Sequence, residues 1–284
     1  MAEITMAMIS ELRERSGVGI GKCKEALSEA KGDMDLAISN LRKAGMASAV
    51  KKEGRSTNEG MIGTSEKDDT IAIVEVNAET DFVVKNERFQ QFLSHIADEI
   101  AETKPTSLEN FLSQKFSKDS ALTVDEYRAS VVQAIGENIQ IRRMKTYQKG
   151  STSTIGVYSH LGGKIVTVVE IEGSDSVADL ARDVAMHIAA EAPEYLDADD
   201  VPQSIIDHEK EIAREQLKGK PENIMDKILE GKINAYFNDV CLARQKYIKN
   251  DSLSVGDLVY KSGQESGNPL KITQFLRWTV GESA

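Results

Sequence analysis

The glycine-rich stretch "SGVGIGKCK" is the segment of this sequence that comes nearest to a phosphate-binding loop. Such a loop has Gly, four residues and then Gly-Lys-Ser/Thr after a strand, so that backbone N–H groups surround the phosphates. Here the spacing from Gly17 to Gly21 is one residue short, Cys23 replaces the hydroxyl residue, and a helical pattern precedes the stretch. The pattern therefore predicts a tight turn between two helices and not a nucleotide site.

Histidine and cysteine side chains do not form a catalytic or metal-binding pattern. The sequence has four histidines, His95, His160, His187 and His208. They show no ligand spacing with one another or with Cys23 and Cys241, and these two cysteines make no disulfide framework, which is typical of a reducing cytosol. We therefore predict no metal, no cofactor and no enzymatic chemistry. His160 stands in a predicted hairpin turn, "GVYSHLGGK", where it is free to contact a partner.

The stretch "ETDFVV" places a carboxylate beside a bulky aromatic residue directly after the apolar run "TIAIVEV". One interpretation is a loop whose Phe82 packs under the next helix. The other is a binding wedge, because a Phe left in water forgoes roughly 1.5–3 kcal/mol and so usually marks an interaction site. Asp81 would be costly to bury in the protein's own core but useful against N–H groups or a cation site of a partner. The residues alone leave both interpretations open.

The N-terminal residues 1–45 predict a module of three short helices that must lean on something or serve in docking, because it is too small to bury much. Asp33 is the expected N-cap of the third helix, and Gly45 is expected to end it. The apolar positions of that helix fall at i, i+3, i+4 and i+7: Met34, Ala37, Ile38 and Leu41. The polar, basic residues 46–59 read as a linker.

After the linker the chain repeats itself. "TIAIVEV" resembles "IVTVVEI" at an offset of 95 residues, and "SHIADE" resembles "MHIAAE" at an offset of 92. Each copy sets an apolar strand before an amphipathic helix, which predicts an α+β fold of two similar subdomains with antiparallel strands, at 60–150 and 151–284. The fall in offset means that the first copy is three residues longer between strand and helix, in the loop that holds Asp81 and Phe82.

The second copy also carries an insertion of about 43 residues, judged from the later match of Leu276-Arg277 to Ile141-Arg142. Its apolar spacing predicts a helical hairpin at about 203–240, broken at Gly219 and Pro221. With one narrow apolar seam and charged flanks, this coiled-coil hairpin either projects as an arm or packs flat on the core.

Bulk composition excludes two classes of function. The net charge of −11 argues against a protein that grips phosphate backbones, because such binding rests on clustered Lys and Arg. No stretch of about 18 apolar residues occurs, and the N-terminus has no leader pattern. We therefore expect a cytoplasmic protein with no direct contact to nucleic acid or membrane, and with a 40% hydrophobic content that suffices for a core.

Two stretches resemble the signatures of the bacterial elongation factor Ts family: "LRERSGVGIGKCKEAL" and, more specifically, "EVNAETDFVVKN". "IGENIQIRRM" and the N-terminal "MAEIT" are also similar to the family, and the likeness extends over the whole 284 residues. Ser16, Ala78 and Val84 depart from the usual residues, as does the less bulky pair at Ile20 and Gly21. The Thr-Asp-Phe-Val core is intact.

This resemblance implies a guanine-nucleotide exchange factor for elongation factor Tu, the GTPase that delivers aminoacyl-tRNA to the ribosome. Such a factor binds the GDP form, displaces Mg²⁺ and GDP, and allows GTP to reload, with no chemistry of its own. The wedge that enters the GTPase domain would consist of Thr80, Asp81, Phe82 and Val83.

The resemblance also implies further contacts with the same partner. Arg13 and Ile20 in the helical module would contact the GTPase domain, His160 would contact its far end, and the hairpin would be an accessory arm. The complex is expected to be 1:1 or a dimer of heterodimers. The main alternative is an adaptor protein, because residues 1–45 resemble ubiquitin-associated-type three-helix modules.

Overall fold

The computed structural model describes residues 4–217 and 222–282, and the chain divides into two compact units. Unit 1 consists of residues 1–148 and 279–284, and unit 2 of residues 149–278. The chain therefore passes from one unit to the other twice.

Unit 1 begins with three helices around a small apolar cluster: α1 (Met6–Ser16), α2 (Ile20–Glu29) and α3 (Met34–Lys52). The N-cap expected at Asp33 is present, because its Oδ1 accepts a hydrogen bond of 3.0 Å from the backbone N–H of Leu36. The cluster consists of Ile9, Leu12, Val18, Cys23, Ala26, Leu27, Ala30, Ala37 and Leu41. Gly17 is the C-cap of α1 and Gly19 the N-cap of α2, so these two glycines serve the predicted turn, whereas Gly21 lies within α2.

A sheet and its covering helices complete unit 1. In chain order they are β1 (Glu59–Lys67), β2 (Thr70–Ala78), α4 (Asp81–Val84), α5 (Glu87–Thr103), α6 (Leu108–Ser113), β3 (Lys115–Phe116), β4 (Asp119–Thr123), α7 (Val124–Ile135) and β5 (Ile139–Gln148). The sheet order is β1-β2-β5, antiparallel throughout, with every residue of the central β2 buried. Its apolar residues pack on the predicted stripe of α5: Phe89, Phe92, Leu93, Ile96 and Ile100.

The prediction that Gly45 ends the third helix is wrong. Helix α3 continues through Gly45 to Lys52, so the first half of the expected linker, up to residue 52, is helical. The reason is tertiary: α3 packs on α7, and a Cβ at Gly45 would lie 3.1 Å from Oε1 of Gln133 and 3.5 Å from the carbonyl oxygen of Ala129. Glycine at this position leaves room for α7 beside α3 and does not end the helix.

The last described residues of the chain return to unit 1 and bind a buried carboxylate. Glu75, in the middle of β2, is fully buried; its Oε2 accepts a hydrogen bond of 2.6 Å from Nε of Arg143. Its Oε1 accepts a hydrogen bond of 2.9 Å from the backbone N–H of Gly281. Arg143 also donates to the carbonyl oxygen of Thr279, at 3.0 Å. Glu75 is thus satisfied by a residue from β5 and by one from the last residues that the structure describes.

Unit 2 has the same plan. In chain order its elements are β6 (Ser153–His160), β7 (Ile165–Glu172), α8 (Ala178–Glu191), a 3-10 turn (Ala198–Asp200), α9 (Gln203–Gln216), α10 (Glu222–Val240), β8 (Lys246–Tyr247), β9 (Asn250–Ser254), α11 (Val255–Ser266) and β10 (Lys271–Thr279). The sheet order is β6-β7-β10, and β6 pairs with β7 in antiparallel fashion. The predicted α+β class with two similar antiparallel subdomains is confirmed.

The repeat extends further than the sequence comparison detected. Each unit carries a short hairpin followed by a helix, β3-β4-α7 in unit 1 and β8-β9-α11 in unit 2. Thr123 and Ser254 cap these two helices in the same way, each in a capping box with an acidic residue three positions later. The matching segments are "KFSKDSALTV" and "KYIKNDSLSV".

Helices α9 and α10 occupy the predicted insertion, and each has the other as its main packing partner. The predicted break at Gly219 and Pro221 lies outside the described residues. Ala213, Leu217 and Ile233 are buried, whereas Ile205 and Ile212 keep more than a third of their surface in solvent. A narrow apolar seam therefore joins the two helices. Among the described residues, no helix is both long enough and apolar enough to cross a membrane.

Candidate functional site

The loop between β2 and α5 contains an extra helical turn that unit 2 lacks. Residues 79–86 connect this strand and helix, whereas residues 173–177 connect β7 and α8, so the first connection is three residues longer, as predicted. The additional length forms α4, whose N-cap Thr80 accepts a hydrogen bond of 3.4 Å at Oγ1 from the backbone N–H of Val83.

This turn exposes its aromatic residue and buries its valines. Phe82 is 80% exposed, the largest exposed fraction among the large apolar side chains that the structure describes. Val83 and Val84, at 9% and 4%, belong to the apolar core beneath the sheet. The interpretation that Phe82 packs under the next helix is therefore wrong, because the two valines fill that place. Val83, predicted within the wedge, presents its side chain to the core and anchors the turn.

The carboxylate beside Phe82 is held in its charged form. Oδ2 of Asp81 lies 2.8 Å from Nζ of Lys85, one helical turn later, and this hydrogen bond lowers the pKa of Asp81 below its ordinary value. The same contact raises the pKa of Lys85. The turn thus presents an exposed ring next to an ionised acid and its paired ammonium group. Sequence reasoning missed Lys85, although its i, i+4 spacing from Asp81 was available as a signal.

The base of the turn is fixed by residues that follow α7. Both carboxylate oxygens of Glu137 accept hydrogen bonds from Thr80, one from its backbone N–H at 3.0 Å and one from its Oγ1 at 2.8 Å. In return, Oε1 of Glu79 accepts from the backbone N–H of Asn138 at 2.6 Å. Arg55, in the segment before β1, also donates to Glu79, at 3.3 Å. Sequence reasoning missed these partners: Glu137 and Asn138 lie more than fifty residues away along the chain, and Arg55 lies 24 residues from Glu79.

Arg13 and Ile20 belong to the same compact unit as the turn. Both side chains are exposed, and together with Met6 they line a shallow cleft beside α1 and α2. Arg88, in the first turn of α5, lines the same cleft and donates a hydrogen bond of 2.7 Å to the carbonyl oxygen of Gly17. This contact joins the N-terminal helices to the helix that follows Phe82.

His160 belongs to unit 2 and ends β6 at the tip of the β6-β7 hairpin. Its side chain is exposed, and Nδ1 lies 3.2 Å from the hydroxyl oxygen of Tyr158. The next residue, Leu161, is 70% exposed and adopts a left-handed backbone conformation with φ of 49°. The predicted hairpin turn at His160 is therefore present, and the tip carries an exposed apolar side chain that sequence reasoning did not single out.

The two cysteines are buried, and the described acidic groups and histidines form no metal-binding cluster. Cys23 and Cys241 are both buried, and burial raises the pKa of the Cys241 thiol to about 11. Across the described ranges, no group of three His, Cys, Asp or Glu side chains is arranged to hold a metal ion. The distinctive feature of the surface is the exposed ring on a rigidly anchored turn.

Comparison with known proteins decides the family. The family model described as Elongation factor TS matches residues 79–282, beginning one residue before Thr80. The Elongation factor Ts of Protochlamydia amoebophila is 65% identical over 282 residues, which cover 99% of this chain and 100% of that protein. Those of Chlamydia muridarum and Chlamydia caviae are 41% and 40% identical, again over 99% of this chain and 100% of theirs. The chain belongs to the elongation factor Ts family.

Elongation factor Ts is a translation elongation factor, so membership assigns this chain that broad role. The N-terminal helices lie before the range of the Elongation factor TS model but within the range that the relatives share. The family says which process the protein serves.

Proposed function

We propose that this chain is a guanine-nucleotide exchange factor for elongation factor Tu and that the Thr80–Val83 turn displaces Mg²⁺ and GDP from that GTPase. The observation that carries the proposal is Phe82, exposed to 80% on a turn whose neighbouring valines are buried. Since Val83 and Val84 already anchor the turn in the core, the ring is available to a partner. Burying it against a partner would recover roughly 1.5–3 kcal/mol.

Charge adds a second element to the mechanism. Asp81 is ionised and forms an exposed ion pair with Lys85, which is weak enough to separate at a partner's surface, so its carboxylate can carry a negative charge to the nucleotide site. A carboxylate there competes for backbone N–H donors and repels phosphate. Phe82 supplies binding free energy, and Asp81 supplies the charge that opposes nucleotide binding. The factor performs no covalent step of its own.

Thermodynamic linkage makes the cycle reversible. Whatever factor the turn removes from nucleotide affinity, the nucleotide removes from the affinity of the turn. Binding of GTP therefore releases the exchange factor, and the GTPase is reloaded. Arg13, Ile20 and His160 are proposed as additional contacts to the same partner, since all three are exposed. A 1:1 complex and a dimer of heterodimers both fit this scheme.

The test is release of a fluorescent GDP analogue from elongation factor Tu, followed by stopped flow after adding this chain and excess unlabelled nucleotide. We expect the release rate to rise with the chain's concentration and then to saturate. Raising the Mg²⁺ concentration should oppose the acceleration, because the proposed step displaces that ion. An unchanged release rate at every concentration of the chain would rule out the proposal.

The alternative function is an adaptor that binds through residues 1–45. Exposed Met6, Ile20 and Leu36 on the N-terminal helices favour this alternative, because each keeps 46–67% of its surface in solvent. An adaptor would bind its partner without accelerating nucleotide release, and binding would survive the loss of Phe82. The same stopped-flow experiment therefore separates the two functions.

A further inference from the structure

We infer that Glu137 is a positioning residue that sets the conformation of the Thr80–Val83 turn and thereby the direction in which Phe82 is presented. Its effect on exchange rests on the proposed function, but its effect on the turn does not. Glu137 lies between Gly136, which ends α7, and Asn138, which leads into β5.

The sheet of unit 1 ends directly at the base of the turn. Ala78 and Ile139 form the last residue pair of the β2-β5 ladder. Beyond this pair the two chains are joined by side chains: the carboxylate of Glu137 binds Thr80 through two oxygens, and the carboxylate of Glu79 binds the backbone of Asn138. The two residues after β2 and the two residues before β5 are thus hydrogen-bonded to each other in both directions.

The hydroxyl group of Thr80 both donates and accepts a hydrogen bond. A threonine hydroxyl has one proton, and here it points to Oε1 of Glu137 at 2.8 Å. The lone pairs of Oγ1 therefore remain free to accept from the backbone N–H of Val83, which is the capping contact of α4. Glu137 fixes the orientation of the capping group. It also satisfies the backbone N–H of Thr80, which is partly buried.

Helix α4 is very short. Four residues are far too few for a helix to be stable by itself, so its conformation depends on its cap and its buried anchors. Val83 and Val84 fix one side of the turn in the core, and Glu137 fixes its start. Without Glu137 the valines remain buried, but the hydroxyl proton of Thr80 and its backbone N–H both lose their acceptor. Phe82 then samples several directions, and binding to the partner loses the free energy needed to order the ring.

The expected size follows from the contacts. Hydrogen bonds to charged groups are worth more than neutral ones. Since this pair is only partly buried, we expect Glu137→Ala to lower the second-order rate constant of exchange by about tenfold. Glu137→Gln keeps one acceptor oxygen and should lose about threefold, since one of the two bonds can persist. Thr80→Val, which removes the hydroxyl while keeping the shape, should resemble Glu137→Ala.

A double-mutant cycle distinguishes positioning from direct contact with the partner. If Glu137 acts through the turn, Glu137→Ala should cost about tenfold in the wild-type background and little in the Phe82→Ala background. An equal loss in both backgrounds would show that Glu137 acts independently of Phe82, and the inference would be wrong. Glu265→Ala, which removes an exposed glutamate of α11 in unit 2, controls for the change in net charge and should leave exchange unchanged.

Amide hydrogen exchange of the free chain tests the positioning itself. Protection of the backbone N–H groups of Thr80 and Val83 should fall in Glu137→Ala, while that of β2 stays as in the wild type. Unchanged protection at both amides would overturn the inference whether or not the wild-type chain accelerates GDP release. Failure of the wild type in the stopped-flow assay, in contrast, would overturn the proposed function alone.

Discussion

Replacing Phe82 by alanine should separate activity from stability more sharply than any other change in this chain. The ring is 80% exposed, so its removal leaves no cavity in the folded protein. We expect the free energy of unfolding to change by less than about 0.5 kcal/mol, as for most surface substitutions. If the ring is instead buried in the partner, its loss should cost roughly 1.5–3 kcal/mol of binding, or a ten- to hundredfold fall in the second-order rate of GDP release.

Two matched variants serve as controls for this prediction. Phe111→Ala applies the same chemical change at a fully buried position of the same unit, where about 3–5 kcal/mol of stability should be lost. Tyr260→Ala removes an aromatic ring that is 66% exposed on α11 and has no proposed role, so both stability and exchange should stay at the wild-type level. Urea unfolding and stopped-flow release of fluorescent GDP, run on all three variants, measure the two quantities separately.

One pattern of results would refute the reasoning. If Phe82→Ala unfolds at lower urea, as Phe111→Ala should, while its exchange rate equals that of the wild type, then the ring contributes to the fold and not to the partner. Equal losses of exchange rate in Phe82→Ala and Tyr260→Ala would also count against a specific wedge, because the effect would then not depend on where the exposed ring lies.

Three further predictions concern stability. Arg143→Ala leaves the fully buried carboxylate of Glu75 without its cation and should lower the free energy of unfolding by roughly 3–5 kcal/mol, measured by urea unfolding. Burial lowers the pKa of His187 below 6.5, so the unfolded state binds more protons and the free energy of unfolding should fall as the pH drops below about 6.5. His187→Gln should reduce this dependence on pH in thermal melts at pH 5–7. It should not remove the dependence, because burial also lowers the pKa of His95 in unit 1. Gly156→Ala would place a Cβ 2.4 Å from the backbone of α8 and should destabilise unit 2 by about 1–3 kcal/mol, whereas Gly231→Ala, which has open space around it, should be neutral or stabilising.

The site was predictable from the sequence up to the choice between two states of Phe82. The chain's own repeat showed that the loop is longer in the first copy, because the offset between copies is a local count of residues. It could not show whether Phe82 or its neighbouring valines enter the core, because all three are apolar and only the three-dimensional space beneath the sheet decides. The family resemblance favoured the exposed ring, and the structure places it there.

Errors and omissions had a common physical origin in long-range contacts. Gly45 is a poor helix former, so local propensity ended α3 too early, whereas packing on α7 carries it to Lys52. Glu137 gave no local signal, since nothing in "IGEN" shows that its carboxylate meets Thr80 across the end of a sheet. Caps and amphipathic faces depend on near neighbours and were predicted well. Contacts between distant segments were not.

The return of residues 279–282 to Glu75 makes unit 1 a fold whose pieces are not contiguous in sequence. A fragment that stops at Gln148 keeps every helix and strand named for unit 1, yet it lacks the N–H of Gly281 and the carbonyl oxygen of Thr279 that complete the site around Glu75 and Arg143. Residues 279–282 bind the rest of unit 1 as a separate peptide would, except that the chain of unit 2 connects them to it. We therefore expect a fragment of residues 1–148 to be less stable than unit 1 of the whole chain, because its Glu75–Arg143 pair lacks these two partners.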